Sequence, residues 1–159
     1  MDSRPFFAGE PPERPRVPRW KLLRTPTNGF PVMATIVSSN VVPVETHWFQ
    51  KTRVLCAHDS CPPDLHVTPR RWYGYFQAIS PKIREIVLLE VPEDTFRQIK
   101  ELTLDNSNSC RGLCISLERV SQKKTSAIQV TLREILRGTR ALPDEIDVWP
   151  MIFQLFKVK

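Results

Sequence analysis

The stretch RWYGYFQAISPKIREIVLLEVPED, residues 71–94, decides the fold. Trp72 to Ile79 alternates as a strand, with Trp72, Gly74, Phe76 and Ala78 on one side and Tyr73, Tyr75, Gln77 and Ile79 on the other. Ser80-Pro81-Lys82 is a short turn, and Ile83 to Val91 reads as the partner strand of a hairpin. Pro92 then stands where a first helical turn tolerates proline, and Glu93 and Asp94 suit the positive end of a helix dipole. Phe96, Ile99 and Leu102 follow at helical spacing, and Asp105-Asn106-Ser107-Asn108 ends the helix.

Outward from this unit the pattern stays β. Val41 to Phe49 is a strand in which Pro43 belongs at an edge or a bulge. Val32 to Val37 reads as a short strand on the edge of the structure. Arg111 to Val120 alternates Leu113, Ile115 and Leu117 against Gly112, Cys114, Ser116 and Glu118. Ala127 to Leu136 does the same with Ile128, Val130 and Leu132 inward and Gln129, Thr131 and Arg133 outward. Strand, long loop, strand, strand, helix, strand, strand is the succession of the OB-fold. The expected architecture is therefore mainly β: a five-stranded OB-like barrel, with a helix between strands 3 and 4 and a C-terminal helix. The expected domain plan is a proline-rich basic arm over 1–31, the barrel over 32–140 with a Cys/His loop at 50–71, and a helical extension over 141–159. Pro143-Asp144-Glu145 opens that extension, and Pro150 should kink or restart it.

Charge is localised. The net charge is +6 over 159 residues. Residues 111–140 hold seven basic against two acidic side chains, and residues 51–71 hold four against two. Such clustering favours a polyanionic partner. Arg70 and Arg71 precede the aromatics Tyr73 and Tyr75, which as outward residues would offer stacking platforms for bases. Lys51 and Arg53 approach from the long loop, and Lys123, Lys124 and Arg133 from the last hairpin. In an OB barrel the first loop and the last turn flank one groove. The expected function is sequence-tolerant binding of single-stranded nucleic acid at these nine residues.

The loop carries a second chemistry. Cys56-x4-Cys61 is preceded by His47, encloses His58 and is followed by Asp64 and His66. Two thiolates with an imidazole and one further donor satisfy tetrahedral zinc, so the candidate set is Cys56, Cys61, His47 and one of Asp64 or His66. The zinc would be structural, cross-linking a loop poor in apolar residues. Cys110 and Cys114, four apart on an extended strand, lie about 13 Å from each other and are packing residues.

With these residues in place the chain resembles small OB-fold single-stranded-DNA-binding proteins of phage and mobile-element type, some of which carry a zinc loop. The resemblance rests on His47-Trp48-Phe49, Cys56 and Cys61, Arg71-Trp72-Tyr73-Gly74-Tyr75 and Arg111-Gly112-Leu113, and covers residues 41–136. It implies single-stranded DNA as the ligand. The chain departs from it at Asp64, where another cysteine would complete the zinc pattern. It departs again at Phe156-Lys157-Val158-Lys159, where housekeeping single-strand binders carry an acidic tail.

Two other functions stay open. Strand 3 is apolar on both sides, so the C-terminal helix, the arm, a second copy or another protein must cover it, which suits an adaptor subunit of a nucleoprotein complex. A metal-dependent nuclease needs carboxylates converging on an open metal site, whereas most acids here sit at helix starts. No phosphate-gripping glycine loop or nucleophile elbow is present, so the chain is not expected to be an enzyme. Met1-Asp2-Ser3-Arg4 leads into proline rather than an apolar run, and four cysteines are too few for a disulfide scaffold. No apolar stretch is long enough to span a bilayer, and a cytoplasmic location is expected.

Overall fold

The computed structural model describes residues 19–27, 29–56, 61, 68–137 and 142–157. Within them eight strands form one mixed sheet. They are β1 (Lys21–Leu23), β2 (Val32–Ile36), β3 (Val42–Phe49), β4 (Thr52–Leu55), β5 (Arg71–Ser80), β6 (Glu85–Pro92), β7 (Leu113–Arg119) and β8 (Ile128–Ile135). Helix α1 (Glu93–Leu102) runs into a 3-10 turn (Thr103–Asn106), and α2 (Trp149–Leu155) closes the chain. The strand order is β1-β6-β5-β2-β7-β8, with β3 on β5 and β4 on β3.

The β5–β6 hairpin is the axis. Eight residue pairs, from Tyr73↔Pro92 to Ser80↔Glu85, hold it in antiparallel register. Its two faces feed two cores. Phe76, Ala78, Val87, Leu89 and Val91 pack with Ile36, Ile115, Leu117 and the Ile99 of α1. Tyr75 and Leu88 pack on the other side with Val44, Val148, Met151 and Ile152, flanked by Trp20 and Leu22. The doubly apolar β6 is thus covered by α2 and by β1. Gly74 sits where β3 crosses β5. A Cβ there would lie 2.6 Å from a Val41 methyl and 2.8 Å from the Trp72 ring.

The sheet stays open, which corrects the expected closed five-stranded barrel. Closure would require β6 and β8 to pair, and both edges are already taken. β1 adds to β6 in parallel, Lys21↔Val87 to Leu23↔Leu89. On β8, the Gln98 side chain of α1 donates to the Ile128 carbonyl at 2.6 Å and accepts from the Val130 amide at 3.0 Å. A side-chain amide here stands in for a neighbouring strand over the first residues of β8.

Other boundaries shift for local reasons. β2 is a central strand and not an edge one, because it pairs with both β5 and β7. Pro43 is accommodated where β3 has β5 alone as neighbour, the β4 ladder starting at Thr46. Residues 50–55 belong to a hairpin rather than a loop, since β4 returns along β3. Lys21–Leu23, within the stretch read as an arm, belong to the sheet; residues 1–18 lie outside those described.

The C-terminal helix starts at Trp149 instead of Pro143, with Pro150 in its first turn. Residues 142–148 carry no regular secondary structure and are held by polar side chains. Buried Gln77 donates to the Asp144 carbonyl at 3.1 Å and accepts from the Ile146 amide at 2.9 Å. Arg111 reaches the Pro143 carbonyl at 3.0 Å and the Val37 carbonyl at 2.9 Å. The Ser39 hydroxyl donates to Glu145 at 2.7 Å. These contacts offer the backbone partners that a helix would otherwise supply.

Gln77→Leu keeps the approximate volume but strands the Asp144 carbonyl and the Ile146 amide. It is expected to cost about 2–4 kcal/mol, read as a lower urea midpoint with unchanged m-value. An unchanged midpoint would mean that the 142–148 strap contributes nothing to the fold.

Candidate metal centre and its cationic surround

Phe49-Gln50-Lys51-Thr52 joins β3 to β4 through two residues of positive φ, Gln50 at 46° and Lys51 at 63°. This is the turn geometry whose twist suits a two-residue hairpin, usually built with Asn or Gly. The register pairs His47 with Val54 and Thr46 with Leu55, so the chain leaves β4 at Cys56 beside the His47 ring. The Cys56 amide still donates to the Glu45 carbonyl at 2.8 Å, which extends the ladder by one bond.

Three metal-ligating atoms converge there. His47 Nε2 lies 3.0 Å from Cys56 Sγ and 3.7 Å from Cys61 Sγ, and the two sulfurs are 3.6 Å apart. In a tetrahedral site with bonds of about 2.3 Å to sulfur and about 2.0 Å to nitrogen, sulfur–sulfur and sulfur–nitrogen edges come to about 3.5–3.8 Å. Two of the three separations fall in that range and the third is shorter, so the group could hold a metal ion with little movement. His47 and Cys61 are buried and Cys56 is partly so. The ring is oriented from behind: Nδ1 lies 3.2 Å from the Thr68 carbonyl and 3.0 Å from its hydroxyl. With Nδ1–H donating to Thr68, the Nε2 lone pair faces the sulfurs, as a ligating imidazole requires. Asp64 and His66, the candidates for a fourth ligand, lie outside the described residues, as does His58.

The remaining cysteines serve elsewhere. Cys110 is buried in the α1 core, and burial pushes its thiol up to about 11. Cys114 Sγ lies 3.3 Å from the Thr35 hydroxyl across the β2–β7 ladder. Neither belongs to the metal group.

Around the hairpin the structure gathers cations and aromatics. Lys51, Arg70 and Arg71 are exposed, and Trp48, opposite Arg53 in the ladder, is 62% exposed. Arg53 lies over the Tyr73 ring, 4.1 Å from its centroid, within cation–π range. Glu45, one pair along β3, is 3.9 Å from Arg70. Tyr75, expected on an open face, is buried instead under α2. Its ring meets Phe156 edge-on at 6.5 Å, and its hydroxyl donates to Glu90 at 2.6 Å. Desolvation, reinforced by the Glu90 charge, holds that hydroxyl well above the usual phenol range.

The other basic candidates stand apart from these. Lys123 and Lys124 are exposed in the β7–β8 turn, and Arg133 is exposed on β8. Val32↔Leu117 places that turn beyond the start of β2, whereas the hairpin lies beyond the end of β3. β2 and β3 run in sequence along β5, so the two basic groups sit at opposite ends of one line rather than side by side. Arg119 spends its guanidinium on closing the turn, donating to the Lys124 and Ser126 carbonyls at 2.9 and 3.0 Å.

Sequence reasoning missed Trp48 as a member of this surface, whereas Arg24 stands among the basic residues of the proline-rich stretch that could follow a phosphate backbone. Trp48 sits in phase with the buried Val44 and Thr46, so its alternation marks it as inward. Only recognition of the turn at Gln50-Lys51 would have shown it running past the end of the core. Among the described residues no helix is long and apolar enough to cross a membrane. Comparison with family models, with curated proteins and with solved structures gave no match.

Protein purified without added metal is expected to carry about one transition-metal ion per chain by elemental analysis, and His47→Ala to carry far less. A metal content near zero in the parent protein would reduce the group to a buried histidine packed on two thiols.

Proposed function

We propose that this protein binds single-stranded nucleic acid with little sequence preference, using the β3–β4 hairpin end of its sheet. A structural zinc ion on His47, Cys56 and Cys61 stiffens that hairpin. The observation that carries the reading is an exposed tryptophan, Trp48, opposite Arg53 at the end of the sheet that also carries Lys51, Arg70 and Arg71. An unstacked base can lie on an exposed indole at a gain of about 1–3 kcal/mol, while the cations follow the phosphates. Duplex DNA keeps its base faces covered, so an aromatic platform favours a single strand.

Zinc suits the donor set because thiolate and imidazole together select it over harder cations. The cluster is largely buried, which favours a cross-linking role over hydrolysis. When bound, the ion would tie β3 to the chain leaving β4; Thr68 would hold the imidazole. The Lys123–Lys124 turn is assigned no share in the primary contact, since it lies at the far end of the β2–β3 line.

A second reading, an adaptor that docks another protein, is favoured by one feature. Trp149 and Phe153 of α2 stack at 5.5 Å and are both exposed. That pair lies on α2, a separate element from the hairpin, so the two readings predict different sensitive residues.

Fluorescence anisotropy against labelled single- and double-stranded DNA tests the proposal. With four cations engaged, log K should fall against log salt with a slope of about −2.8 on single strands. Trp48→Ala should weaken binding about tenfold or more at unchanged slope, with little change in melting temperature. Equal affinity for both DNA forms, or indifference to Trp48→Ala together with sensitivity at Trp149, would transfer support to the adaptor.

A further inference from the structure

We propose that Arg24 and Arg53 form a phosphate clamp, two guanidinium groups held together on the buried Glu90 carboxylate, which takes one phosphodiester of the bound strand. The inference rests on the nucleic-acid reading above and adds a defined contact to it.

Glu90 lies on β6 and is 5% exposed. Arg24, just after β1, places Nε 2.8 Å from Oε1 and Nη2 3.5 Å from Oε2. Arg53, from β4, places Nη1 3.1 Å from Oε2, and Tyr75 donates to that same oxygen. Three chain segments distant in sequence therefore converge on one carboxylate. A buried anion of this kind requires such partners, so a structural staple alone would explain one arginine. The second guanidinium leaves the cluster with two cations on one anion. Tyr75 keeps its proton and adds no charge.

The geometry leaves donors to spare. A guanidinium carries five N–H groups, and the carboxylate engages only part of each. Arg53 Nη1 is buried 3.1 Å from Glu90 Oε2, so the donors that Arg53 offers a ligand are those of its other guanidinium nitrogens, on a side chain that is 22% exposed. The Tyr73 ring beneath Arg53 fixes the plane of the group, and the Arg24 side chain is 52% exposed. Two planar forks held in place at a partly open site match the oxygens of a phosphate, and little side-chain freedom remains to be lost on binding. Trp48 lies opposite Arg53 on the adjoining strand, so a base stacked there belongs to a nucleotide next to the clamped phosphate.

The test uses the full chain with 15N-labelled arginine. Adding inorganic pyrophosphate should shift the Nε–Hε resonances of Arg24 and Arg53 saturably and leave Arg97, paired with Glu93 on α1, unmoved. Arg24→Gln should weaken binding of oligothymidylate severalfold and reduce the pyrophosphate shift at Arg53. Lys100→Gln, the same charge change on α1, should do neither. If the parent protein binds oligothymidylate while Arg24→Gln alters only its melting temperature, the pair is a structural staple: the clamp is overturned and the functional reading stands. If the parent protein fails to bind the oligonucleotide, the functional reading falls. The pyrophosphate shifts then decide the clamp separately: saturable shifts at both arginines uphold a phosphate site, and their absence removes it.

Discussion

A hairpin that is apolar on both faces cannot be left with either face in water, and the architecture follows from that constraint. β5 and β6 bury Phe76, Leu89 and Val91 on one side and Tyr75 and Leu88 on the other. One sheet face can be covered by the helix that directly follows β6. The other needs material from elsewhere in the chain, and it comes from both flanks: β1 from before the hairpin and α2 from after it. Each buried leucine or phenylalanine side chain contributes about 1.5–3 kcal/mol, enough to recruit segments that are short and irregular on their own.

Recruitment of that kind leaves backbone groups without partners, and glutamine and arginine side chains take up the deficit. Gln98 meets Ile128 and Val130 at the edge of β8, Gln77 pairs with the strap at 144–146, and Arg111 donates to the Val37 and Pro143 carbonyls. A side-chain amide carries two N–H donors and a carbonyl acceptor on one carbon, so it can meet a strand's carbonyl and amide at once. It can therefore end a sheet where no strand is available.

Much of the β pattern was legible because period-two alternation survives in a single sequence. β5, β7 and β8 and the inward set Leu113, Ile115 and Leu117 follow it directly, while β6 is marked by its apolar run after a turn and α1 by its helical spacing. What escaped has a physical cause in each case. Closure depends on which edges meet, and Lys21–Leu23 is too short a strand to signal that it will take the edge of β6. The β3–β4 hairpin is hidden because Gln50 and Lys51 adopt positive φ without the glycine or asparagine that announces such a turn. Tyr75 alternates outward correctly, but burial of that face depends on a helix seventy residues away. At the metal group the residue types were enough to point to His47, Cys56 and Cys61. Their convergence came from a ladder that the spacing alone does not reveal.

The side-chain period of a strand gives the His47–Cys56 contact a meaning beyond cohesion. Sliding β4 by a single residue along β3 would turn its side chains to the other face and carry the thiol away from the imidazole. An unfavourable turn with two backbones in the left-handed region gives the hairpin little help in choosing its own alignment. The nitrogen and sulfur that meet in this register would be parted by the next one, so their contact belongs to a single strand alignment.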